Sequence, residues 1–220
     1  MSTSAVLESL WQALVKRMPQ DSATEVLNDV RDSLFVNNNN RQIEVLHREI
    51  TNCRRCENFN YINNTAVWNT KDPAALVVLE KPEIGKEASS LLIDGLRKAG
   101  FTKENTSITY YTRCLPQSGN ISEKHRQNCK GYLEEEIASM NPAVVIVCGK
   151  VAAEGMLGPI LPLAKMRGEF YWAGNFAVMI TYSPSYAASD KSAKSLSDSF
   201  YADIEAASRV CKIPKGNRDD

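Results

Sequence analysis

The sequence predicts an α/β protein. The expected fold is a three-layer α/β/α arrangement around an open, mainly parallel four-stranded sheet, with an N-terminal helical extension. Three observations carry this. Residues 75–79 (ALVVL), 143–148 (AVVIVC) and 176–181 (FAVMIT) are short continuous apolar runs, the composition of strands buried on both faces. Helical periodicity fills the intervals between them. Strand and helix patterns alternate four times, which is the grammar of a parallel sheet with crossover helices on both sides.

In chain order, residues 3–36 carry two amphipathic helices. Val6, Leu7, Leu10, Leu14 and Val15 recur at helical spacing in the first. Asp21 or Ser22 caps the second, which lines up Val26, Leu27, Val30 and Leu34. Asn37 to Asn40 reads as a linker, so residues 1–40 form an extension, either packed on the main domain or a docking arm for a partner. The main domain runs from 41 to 213, and 214–220 is a tail. A helix over 41–52 leads into Cys53. After the first strand, Leu91, Leu92, Leu96 and Ala99 mark a helix over 87–100 that Gly100 ends. Residues 107–112, rich in β-branched and tyrosine side chains, form the second strand. Ser122 caps a long helix that Asn141-Pro142 breaks. Gly149 turns the third strand into a helix over 150–157, and 195–211 is the last helix.

The chain has 220 residues, with 26 basic and 26 acidic side chains. Any attraction for nucleic acid must therefore come from a local surface. No apolar run reaches the roughly 20 residues of a membrane span. The start of the chain lacks a secretory pattern. Six cysteines are too few for a secreted disulfide scaffold. These features predict a soluble, cytoplasmic protein.

Open α/β sheets bind ligands at the carboxyl ends of their strands. That singles out Glu80 to Glu87, Tyr110 to Gly119, Gly149 to Lys150 and Tyr182 to Lys191. Glu80, followed by Lys81-Pro82, is either a water-activating carboxylate or a solvated strand end. Pro184 fixes a turn in which Ser183, Ser185 and Tyr186 offer hydroxyls, with Lys191 just beyond. This is a loop suited to a phosphate backbone, or an ordinary polar loop. Cys53 and Cys56 have the spacing that lets two thiolates share a metal, and Cys114 and Cys129 join them if the fold converges. Zinc and an iron–sulfur cluster both suit thiolates. A redox CxxC should open a helix, whereas this one closes one. Cys148 and Cys211 read as apolar fillers.

From about Gln42 to Val210 the motifs resemble, in order and spacing, those of the family 4 uracil-DNA glycosylases. A helix runs into NCRRC. The catalytic turn Gly-Glu-x-Pro-Gly is matched by Leu79-Glu80-Lys81-Pro82-Glu83. Lys-Cys-x-Pro is matched by Arg113-Cys114-Leu115-Pro116, and Cys-x-x-Tyr-Leu by Cys129 to Leu133. Asn-Pro-x-Val-Ile-Val-x-Gly falls at 141–149 with one extra residue, followed by Arg167-Gly168 and by TYSPSY in place of Thr-x-His-Pro-Ser. The resemblance implies a [4Fe–4S] cluster on Cys53, Cys56, Cys114 and Cys129, with zinc as the alternative. It also implies a domain that binds DNA at the strand tips, through Pro82, Tyr110, Lys150, Arg167, Pro184, Ser185, Tyr186 and Lys191.

The departures fall in the base pocket. Ser183 stands where the family has histidine, and Tyr110 where an asparagine reads the uracil edge. Residues 86–95 hold no aromatic side chain to stack on the base, and Glu83 replaces a glycine. Extruded bases are recognised by edge hydrogen bonds and stacking. Loss of one donor to a developing charge costs about 2.7–4 kcal/mol where it has been measured. Glu80, the family's water-handling carboxylate, remains. The expectation is a DNA-binding protein of repair or replication with weak or lost uracil excision, residues 1–40 serving to dock a repair or replication protein. Some superfamily members act as polymerase accessory subunits. The alternative is an active glycosylase for uracil or another altered base, with Glu80 and Ser183 as its catalytic residues.

Overall fold

The structure is a computed structural model that describes residues 43–56, 68–70, 73–82, 85–114, 121–158, 162–173, 176–189 and 195–211. The two expected N-terminal helices, the asparagine linker, Lys191 and the tail lie outside these residues.

The first described helix, α1, is Ile43–Thr51, and it ends just before Cys53. Strand β1 (Ala75–Leu79) leads to helix α2 (Lys86–Lys98) and strand β2 (Thr106–Tyr110). Helix α3 (Glu123–Met140) is the longest. Ser122 caps it as expected: the His125 N–H donates to the Ser122 hydroxyl, and the His125 ring accepts from the Ser122 N–H. Asn141 ends the helix in the left-handed region, one residue before Pro142. Strand β3 (Val144–Cys148) runs into helix α4 (Lys150–Leu157). The short helix α5 (Leu163–Met166) and strands β4 (Phe170–Ala173) and β5 (Phe176–Thr181) follow. Helices α6 (Pro184–Ser189) and α7 (Ser195–Val210) complete the described chain.

The sheet has the order β2-β1-β3-β5-β4. The four expected strands are parallel to one another. The expected count of four is corrected to five by β4, an edge strand antiparallel to β5.

Side chains alternate across the sheet and give each face its own core. Leu76, Val78, Val145, Val147, Val178 and Ile180 meet α3 and α4 through Leu133, Ile137, Ala153 and Met156. Val77, Leu79, Ile108, Ile146, Cys148 and Met179 meet α2 and α7 through Leu92, Leu96, Phe200 and Ile204. Helix α1 adds a small layer outside α3, with Leu46 and Ile50 buried against Tyr132. Among the described residues no helix is long and apolar enough to cross a membrane.

Candidate active site and metal centre

The carboxyl tips of β1, β3 and β5 surround a cavity of about 350 Å³, lined by Leu79, Glu80, Lys81, Cys148, Ser183, Pro184 and Ser185. Its floor comes from strand ends: Leu79 and Cys148 share the face that packs on α2 and α7. Its polar groups come from the first residues beyond those strands. The β1 tip is held by its neighbour past the end of β2. Tyr111 N–H donates to the Leu79 carbonyl at 2.7 Å, and the Thr112 N–H and hydroxyl donate to the Glu80 carbonyl at 3.0 and 2.7 Å. The Glu80 backbone is therefore fixed, while its carboxylate holds no partner among the described residues. A carboxylate so placed is free to orient a water molecule.

Ser183 is held from two sides. Its hydroxyl oxygen accepts from the Tyr186 N–H at 3.2 Å, which caps α6 and leaves the hydroxyl hydrogen for a ligand. Behind it lies Gly149, with φ +96°, where an added Cβ would meet the Ser183 Cβ at 2.9 Å. Glycine thus meets two needs at this position: a left-handed backbone and the close approach of two strand tips.

The other expected site residues are distributed as follows. Pro184 and Ser185 line the cavity with Ser183, and Pro82 is half-buried at its edge in sequence. The Tyr110 ring is buried in the core beside Leu79 and Cys148 and is not part of the cavity wall. Burial raises its phenol pKa, opposed by Arg113. Lys150 is exposed at the start of α4 and pairs with Glu154 at 3.5 Å. Arg167 donates through Nε and Nη2 to Asp203 at 3.0 and 2.6 Å, and through Nη2 to the Ser199 carbonyl. Thr181 donates to the same aspartate, so Asp203 on α7 holds both β5 and the segment after α5. Its guanidinium also lies 5.2 Å from the Tyr182 ring centre. Tyr186 is exposed, with its ring 5.3 Å from that of Tyr182. The sequence reading included Lys81 in the strand tip it singled out without giving it a role, and took Cys148 for an apolar filler; both line the cavity.

The four cysteines gather at a second place. Burial pushes the Cys114 thiol up to about 12, and Cys129, Cys56 and Cys53 add to the rise. Burial also raises Cys129, against the Arg113 N–H that donates to its sulfur and the Arg113 guanidinium nearby. Hydrogen-bond donors surround the group. Asn128 Nδ2 donates to Cys56 Sγ at 3.2 Å, and Tyr132 is hydrogen-bonded to Cys53. Asn128 and Arg55 exchange hydrogen bonds with each other's backbone carbonyls at 3.0 and 3.2 Å. Arg55 also covers the Tyr132 ring at 4.2 Å. Arg113 Nε is buried without an acceptor among the described residues. Among those residues no three His, Cys, Asp or Glu side chains stand in metal-ion-holding geometry.

Residues 84–205, more than half of the chain, match the family model described as the uracil DNA glycosylase superfamily. The type-4 uracil-DNA glycosylase of Saccharolobus solfataricus is 22% identical over 161 residues, covering 66% of this chain and 74% of that protein. The matched span contains Cys148 and Ser183 to Ser185 of the cavity wall and begins after Leu79, Glu80 and Lys81 at the β1 tip. The chain belongs to the uracil DNA glycosylase superfamily.

Proposed function

We propose that the protein binds DNA at the carboxyl edge of its sheet, admits an extruded nucleotide to the 350 Å³ cavity, and excises uracil weakly or not at all. The observation that carries this is the cavity's inventory. Glu80, Lys81, Ser183 and Ser185 supply a carboxylate, an ammonium group and hydroxyls, and among the described lining residues there is no side-chain amide that both donates to and accepts from one base edge. Glycosylases of this kind select a flipped base by its edge. The unpartnered Glu80 carboxylate favours a second reading, excision of uracil or another altered base with Glu80 handling water. The role belongs to DNA repair or replication, with residues 1–40 as the docking arm for a partner protein.

Cys53, Cys56, Cys114 and Cys129 would hold a [4Fe–4S] cluster, with zinc as the alternative. Four thiolates suit either group, and the mutual influence of the four thiols supports one shared site. The unused Arg113 Nε beside them suits a group that brings further sulfur acceptors. When bound, the cluster would supply a covalent cross-link between the end of α1 and the β2–α3 region.

The deciding measurement is release of uracil from single- and double-stranded DNA. The expected outcome is release at least about 10²-fold slower than by a uracil-DNA glycosylase that keeps the charge-stabilising donor. Robust release that Glu80→Gln abolishes would replace the first reading by the second.

A further inference from the structure

We propose a second activity in the same cavity: cleavage of a DNA strand at an abasic site by β-elimination, with the Lys81 amine as nucleophile. This rests on the reading of the cavity as the nucleotide site. Lys81 and Glu80 both line this cavity, which brings an amine-bearing and a carboxylate-bearing residue to one site. The Lys81 ammonium has no acceptor among the described residues. The neighbouring cations are engaged: Lys150 pairs with Glu154 and Arg167 with Asp203. An amine, a carboxylate and hydroxyl donors are poor tools for reading a base edge. They are the tools of imine chemistry on an aldehyde, for which a lysine amine is the standard nucleophile.

The ring-opened sugar of an abasic site carries an aldehyde at C1′. The Lys81 Nζ, after its ammonium gives a proton to solvent, adds to C1′. The resulting carbinolamine takes a proton from solvent on its hydroxyl group, loses water and becomes a protonated imine. The imine acidifies the hydrogens on C2′, and the Glu80 carboxylate takes one. The freed electron pair forms the C2′–C3′ double bond and breaks the C3′–O bond, so the 3′ phosphate leaves. Water then hydrolyses the imine, restores the amine and releases the unsaturated aldehyde end. No oxidant or reductant is consumed. Glu80 thereby serves as the base for C2′ as well as a candidate for handling water.

The test uses the full chain with its metal centre, DNA carrying one abasic site, and borohydride to reduce the imine to a stable amine. The expected result is a covalent protein–DNA adduct on a denaturing gel that disappears in both Lys81→Arg and Lys81→Gln. Without borohydride, Glu80→Gln should slow strand cleavage by about 10²-fold while the adduct still forms, because general-base catalysis contributes about that much. Retained metal content and melting temperature in the Lys81 variants separate loss of the amine from loss of the fold. An undiminished adduct in Lys81→Arg would overturn the assignment. Absence of an adduct with the wild type, alongside firm binding to a tetrahydrofuran analogue that cannot form an imine, would overturn the lyase activity and leave the nucleotide site intact. Absence of binding to either DNA would overturn both.

Discussion

Glu136 sits on α3 with 2% of its surface exposed, and it is the hub of the largest buried polar group among the described residues. Arg113 donates to it from Nη1 and Nη2 at 3.0 and 2.6 Å. Thr109 donates at 2.6 Å, and the His47 ring is 3.1 Å away. Burial alone would raise its pKa; Arg113, His47 and Thr109 outweigh that and hold the carboxyl down at about 2. A lowered carboxyl pKa stabilises the fold above the ordinary carboxylate range, and that contribution is lost as pH falls through the folded value. Glu136→Gln should therefore be less stable than the wild type in denaturant at pH 7, and the gap should close between about pH 4.5 and 2. Glu136→Ala should cost about 3–5 kcal/mol, because it strands the buried Arg113 charge. A gap unchanged at pH 3 would show that Glu136 acts through packing alone. The sequence hides this hub inside the run Glu134-Glu135-Glu136, which looks like a solvated face. Helical spacing from Cys129, Tyr132 and Leu133 to Ile137 and Met140 turns Glu136 inward, and its partners lie 23 to 89 residues away.

At the scale of elements, α4 approaches the sheet more closely than its sequence suggests. The Tyr111 hydroxyl donates to the Gly155 carbonyl at 3.0 Å, and a Cβ at Gly155 would meet the Tyr111 Cζ at 2.3 Å. Neither helix backbone nor a buried ring can yield by that much. Gly155→Ala should push α4 away and cost about 1–3 kcal/mol, seen as a lower melting temperature. An unchanged melting temperature would mean that the helix slides freely on this face. The parallel strands β1, β3 and β5 were legible because burial on both faces makes them uniformly apolar. Strand β4 was not. Phe170–Ala173 is four residues of an edge strand whose pairing with β5 is a tertiary event, although the turn residues Gly174-Asn175 between the two runs offered a hairpin signal. The site was legible where it follows strand tips, as with Glu80 and Ser183. Tyr110 differs because a strand-end residue can face either the opening or the core, and here it pairs in register with Leu79 and turns inward.

For the whole molecule, the candidate cavity lies at the carboxyl edge of the sheet, and none of the four cysteines of the candidate metal centre is among its lining residues. The four thiols come from the end of α1, the segment after β2, and α3. The sheet itself is already covered on both faces by α2, α3, α4 and α7. Among the described residues, helix α1 is held by Leu46 and Ile50 against Tyr132, by His47 contacts to Glu136 and Asn69, and by the Arg55–Asn128 exchange just beyond it. A cluster on Cys53, Cys56, Cys114 and Cys129 would therefore act as a clasp for α1, because a cross-link stabilises most what packing holds least. Stability is not uniform across a fold, and such a clasp governs local opening more than global unfolding. Purified protein should contain about four irons per chain, the number such a cluster carries. In Cys53→Ser, amide hydrogen exchange should rise over 43–56 and the facing turns of α3, while β1 and β3 keep their protection. An equal rise across β1 and β3 would mean that the centre supports the whole core. Stoichiometric zinc without iron would remove the cluster and leave the clasp to a single ion.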